Sequence, residues 1–241
     1  MSIVTEHEIY KDIEGYIPKI VNKLRDAEKN KSSYPLIGLE DFIFGTFKFL
    51  DEIDKKLKDL DLSMIFISSF PSYKSWRKVM MRKEYILYHL EYFNINIIAL
   101  FDRVLHLVNF LYDLGLSDRY VTINCITSNS NINKNLSKLL NDVNNNLDEI
   151  RKKQNRIKHK QKLKIDDLYL PSLIEFSLSN KGIRDKISNV DDFKKDMDFY
   201  YKFEIRKEKK KMIKQKEDMD NYIKKILDKI FLKYELRKKL F

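Results

Sequence analysis

Apolar residues recur every three or four positions along most of this chain, and little breaks the pattern: its 241 residues include five glycines and four prolines. Tightly turned sheet proteins need more of both, because those residues supply the special backbone angles of turns. The spacing therefore predicts an all-α protein, a helical bundle with a long basic C-terminal helix. Alanine is rare, so helix propensity is moderate and burial of apolar faces must stabilise the helices.

Thr5 to Lys29 reads as a first amphipathic helix, with Ile9, Ile13, Ile17, Ile20, Val21 and Leu24 at helical spacing. Thr5 followed by Glu8 has the form of a capping box, and Pro18 predicts a kink or break. Leu39 to Leu60 is a second helix whose buried side would hold Phe42, Phe49, Ile53, Leu57 and Leu60. Leu62 to Pro71 fits a short strand, a helix end or a packed loop.

The strongest helix signal lies in Ser72 to Leu114. Tyr85, Tyr88, Tyr92, Ile95, Ala99, Asp102 and Leu105 form one stripe there; Ile97, Phe101, Leu105, Val108, Leu111 and Tyr112 form another. A helix apolar on more than one face is expected at the centre of a bundle. Gly115 should stop it. Asn94, Asn96, Asp102, Arg103, His106 and Asn109 interrupt its apolar run and argue against a membrane span.

A loop or short helix follows at Ser117 to Asn131, then a long helix over Ile132 to Lys164. Asp192 to Phe241 reads as one charged helix, with an apolar stripe from Met212 to Tyr234 near the heptad period. That stripe would pack on the bundle or on another chain. Two parts are thus expected: a bundle over 1–180 and a charged C-terminal helix over 181–241.

Charge and cysteine content narrow the function classes. Arg151 to Lys164 holds eight basic residues and no acidic one, and Lys202 to Phe241 holds 15 basic and seven acidic, within a net charge of +11. Such segments attract RNA, DNA or anionic lipid, or form a solvated lysine-rich face. Cys125 is the only cysteine, which rules out an internal disulfide and points to a reducing, cytoplasmic setting. Met1 to Asp12 lacks the apolar run of a signal peptide. No phosphate-binding loop, dinucleotide motif, serine-hydrolase elbow or two-histidine metal motif occurs, so no metal or cofactor is expected. Trp76 lies near Lys74, Arg77 and Lys78, where it would either stack a base or anchor the long helix.

The segment Arg151-Lys152-Lys153-Gln154-Asn155-Arg156-Ile157-Lys158-His159-Lys160 carries the most chemical information. Asn155 and His159 are four apart and share a helix face, with Arg156 beside them. A histidine among cations favours its neutral form, which takes a proton from a ribose 2′-hydroxyl while Arg or Lys holds the phosphate. The plainer reading is a basic helix end with one incidental histidine.

Gln154 to His159 resembles the signature of the HEPN superfamily, small helical bundles of prokaryotic defence and toxin–antitoxin systems. That signature is Arg, four to six residues, then His, often with Asn directly after the Arg. Asn155 and His159 match it; Gln154, Lys153 and Lys152 occupy the Arg positions instead. The resemblance implies an RNA-associated protein and, if it is catalytic, a metal-independent endoribonuclease. His159 would then be the base, Arg156 and Lys158 the phosphate holders, and Asn155 the positioner. Asp102 on an earlier helix would orient them, and Arg151, Lys152, Lys153 and Lys160 would line the RNA. The resemblance also implies a homodimer. The missing Arg weighs against cleavage, and two other readings stand beside it: a non-catalytic module for a partner protein, and a nucleic-acid binder without cleavage. Asp102 and His106 lie one turn apart on one helix face and would pair, or His106 would pack in the core.

Overall fold

The computed structural model describes residues 2–70, 80–158 and 165–241. Those residues form ten α-helices and no strand. They are α1 (Glu8–Glu14), α2 (Ile17–Lys29), α3 (Leu39–Phe66), α4 (Arg82–Tyr112), α5 (Ile123–Thr127), α6 (Lys134–Asn146), α7 (Asp148–Lys158), α8 (Tyr169–Ser179), α9 (Lys181–Arg184) and α10 (Val190–Lys238). Two compact units divide the chain. The first comprises Met1–Lys58, Ile97–Asp148 and Asp218–Phe241; the second comprises Asp59–Asn96 and Glu149–Glu217.

The expected first helix is two helices, broken at Gly15 and Tyr16, with Pro18 in the first turn of α2, where its missing N–H costs nothing. The Thr5–Glu8 capping box does not form. The Thr5 hydroxyl donates to the Ser2 carbonyl, and His7 caps α1 instead, its Nδ1 accepting from the Ile9 N–H at 3.2 Å. Val21, expected in the apolar stripe, is exposed. Leu62 onward continues α3 to Phe66 as helix, not strand. The expected helix over 132–164 is interrupted at Leu147, which caps α6.

α4 stops at Tyr112, three residues before Gly115. Asp113 takes the left-handed conformation (φ 53°), and Gly115 follows at φ 65°. The Asn109 side chain closes this end by bonding both the N–H and the carbonyl of Leu116. Arg237 adds a cation to the same terminus: it donates to the Phe110 carbonyl and pairs with Asp113 at 3.1 Å.

In the first unit, α3, α4 and α10 meet around Phe42, whose ring lies 5.9 Å from Phe110, 5.6 Å from Tyr234 and 5.7 Å from Phe241. Ile223, Ile226, Leu227, Ile230 and Tyr234 of the C-terminal stripe are buried, so that stripe packs within the chain. The Tyr234 hydroxyl donates to Asp12, and Lys238 bonds the same carboxylate at 2.7 Å. Two buried polar side chains, one on α3 and one on α4, bond the carbonyl one turn back. Thr46 donates to the Phe42 carbonyl and Asn96 to the Tyr92 carbonyl.

Among the described residues, α4 is the one helix long and apolar enough to cross a membrane, and more than half of its most apolar stretch is buried in the fold.

Gly45 allows the close approach of Phe110: a Cβ there would meet its Cζ at 2.5 Å. That ring is wedged between Phe42 and Phe49 and has little room to yield. Gly45→Ala should therefore destabilise by about 1–3 kcal/mol. Gly15 has ordinary helical angles and space for a Cβ, so Gly15→Ala should stabilise by about 0.4–1 kcal/mol. Urea denaturation of both variants checks the pair.

The cap also sets a pH dependence. His7 accepts through Nδ1, so its proton sits on Nε2, facing Asp228 at 3.2 Å. Burial holds its pKa below the usual 6.5, although Asp228 opposes the shift. The folded state thus binds fewer protons than the unfolded one. This contribution to stability is complete above pH 6.5 and is lost as pH falls toward the lower folded value. His7→Asn keeps a capping acceptor without titrating, so melting curves across this range should show a shallower pH slope than the parent chain.

Candidate nucleic-acid interface

The basic segment begins on α7. Ile150 and Gln154, four residues apart, are buried, which turns this helix face inward. Lys152, Lys153 and Asn155 are therefore exposed, and Arg151 is half-buried. Arg156 and Lys158 fall in the last turn of α7. His159, Lys160 and Trp76 lie outside the described residues.

Gln154 is only 9 % exposed, so the residue in the position of the signature Arg faces the interior, not a phosphate. An arginine there would have to bury its charge. The sequence contains the signal for this: Leu147, Ile150, Gln154 and Ile157 recur at helical spacing.

Asp102 does not face the core. It is exposed on α4, in the first unit, whereas the α7 residues from 149 onward belong to the second. Its neighbour Arg103 pairs with Glu52 at 3.2 Å. His106 is half-buried against the Phe49 ring, with its Nδ1 3.9 Å from Asp118. Cys125 is a free, half-buried thiol on α5.

The second unit holds most of the positive charge: 26 basic and 16 acidic residues, against 21 and 20 in the first. Its interior carries a polar cluster that sequence spacing did not reveal, because the partners lie far apart in the chain. The fully buried Tyr201 donates to Glu175 at 2.7 Å, and the Arg82 N–H donates to the same carboxylate at 3.3 Å. The Arg82 guanidinium lies 4.8 Å from the centre of the Tyr201 ring and bonds Asp198 at 2.8 Å. Burial, then the Glu175 bond, pushes the Tyr201 hydroxyl far above the usual tyrosine range. It is a proton donor at every physiological pH.

His89 is the second histidine of interest. It sits among the rings of Phe66, Tyr85 and Tyr88, and its buried Nδ1 has no hydrogen-bond partner. Burial lowers its pKa and keeps it neutral. Among the described residues, no three His, Cys, Asp or Glu side chains group as a metal site. The chain matches no family model, no curated protein and no solved structure.

Tyr201→Phe removes one donor from the half-buried Glu175 carboxylate without changing packing. It should cost about 1–3 kcal/mol in equilibrium unfolding, because Glu175 is left under-satisfied.

Proposed function

We propose that this chain is a HEPN-like, RNA-associated helical protein that engages RNA phosphates through the basic end of α7. The observation that carries the reading is the segment Arg151 to Lys164, with eight basic residues and no acidic one, in the unit that holds most of the net charge. Lys152 and Lys153, exposed on α7, supply the first phosphate contacts. Such binding is dominated by counterion release and weakens steeply with salt. Homodimer formation follows from the same resemblance.

In the catalytic form of this proposal, His159 removes the 2′-hydroxyl proton, Arg156 and Lys158 hold the scissile phosphate, and Asn155 positions it. The buried Gln154 supports a second reading, binding without cleavage, since it leaves no cation at the four-residue spacing of the signature, and Lys153 and Lys152 stand in place of Arg at the other two.

Purified protein incubated with total RNA and tRNA in EDTA, beside His159→Ala, tests both readings. Cleavage by the parent chain alone establishes the metal-independent nuclease. Binding that is salt-sensitive, with no cleavage by either protein, leaves the binding reading. Absence of both activities sinks the proposal.

A further inference from the structure

Two phenylalanines stand in the open on the first half of α10, in line with a row of cations. Phe199, Phe203, Arg206, Lys210 and Lys214 follow at spacings of four, three, four and four, which places them along one side of the helix. Tyr201, Glu204, Ile205 and Met212 occupy its buried side. Phe199 and Phe203 are 64 % and 56 % exposed, and their rings lie nearly parallel, 6.5 Å apart. Among the described residues their one other ring neighbour is Tyr200, 5.7 Å from Phe199 and itself exposed. Packing within the fold therefore does not account for these rings.

Every exposed charged residue from 199 to 214 is basic, and no acid pairs with Arg206, Lys210 or Lys214 among the described residues. The row has acidic ends: Asp192 and Asp196 precede it on the same side of the helix, and Glu217 follows. Asp192 is held by Lys195 at 3.4 Å and by Asn189. The stretch between the acids is short, about 22 Å at a rise of about 1.5 Å per residue. It fits a narrow polyanion that carries flat apolar groups. A planar sheet of lipid headgroups would have to cover the acids as well, whereas a strand can leave the row before reaching them. An RNA duplex offers phosphates but keeps its bases stacked on each other. A single strand supplies both, since its bases are free to stack on aromatic rings while its phosphates reach the cations alongside.

We infer that this row of α10 binds single-stranded RNA, with bases stacked on Phe199 and Phe203 and phosphates paired with Arg206, Lys210 and Lys214. The inference rests on the proposed RNA association. It adds the form of RNA that is bound and a second set of contacts, distant in sequence from those of α7.

The test is the affinity of the full chain for an oligouridylate and for an RNA duplex of the same length, read by fluorescence anisotropy over a range of salt. Bulk charge alone favours the duplex, which packs more phosphates into its length. Tighter binding of the single strand is therefore the result expected from stacking. Phe199→Leu/Phe203→Leu keeps apolar surface and removes the rings. It should weaken single-strand binding about 10-fold or more and leave duplex affinity and the salt slope unchanged. Arg206→Gln/Lys210→Gln/Lys214→Gln should lower the slope of log affinity against log salt by about 2, at about 0.7 per phosphate contact on a single strand. All five positions are exposed and leucine and glutamine favour helix, so circular dichroism should match the parent chain. Preference for the duplex, or single-strand binding unmoved by the leucine variant, overturns the inference and leaves RNA association standing. Binding of neither RNA overturns both. If Lys152→Gln/Lys153→Gln leaves single-strand binding intact while the leucine variant weakens it, the α10 row stands and the α7 assignment is the one that fails.

Discussion

The ring of Phe42 is held between Phe110, Tyr234 and Phe241, and the Arg237 guanidinium lies over both Phe42 and Phe110. These contacts join α3, α4 and α10 inside the first unit, and they need Gly45, where a side chain would collide with Phe110. Arg237 also caps α4, so one residue near the end of the chain fixes a ring stack and a helix terminus together. Buried aromatic area supplies what moderate helix propensity does not.

The second unit is built differently. A buried hydroxyl, a carboxylate and a guanidinium join α4, α8 and α10 through Tyr201, Glu175 and Arg82. A network of this kind fixes register, because each buried polar group needs its own partner. It also turns Glu175, the one charged residue of α8, toward Tyr201. The same unit bears the excess of basic residues.

The two stripes read on α4 illustrate how far sequence carries. Both are apolar at helical spacing, and nothing local separates them. The structure buries Ile97, Phe101, Leu105, Val108 and Leu111, whereas Tyr88, Tyr92 and Ile95 are exposed. Periodicity reports that a face is apolar; which face finds a neighbour depends on elements distant in the chain. Gln154 shows the reverse limit. A motif comparison sees only that an Arg is missing, but the fold turns the position itself inward.

By itself the sequence determined the all-helical class, the start of α3, the course of α10, the break near Pro18 and the charge asymmetry. All of these depend on residues three or four apart, or on composition, and so on interactions a linear reading contains. Tertiary structure alone decided that His7 and not Thr5 caps α1, and that Asp113 ends α4 ahead of Gly115. It also decided that Asp102 faces solvent and that Arg82, Glu175 and Tyr201 share a site. Each of those outcomes is a choice between locally equivalent options, settled by which distant group arrives to bury a ring, accept a proton or pair a charge.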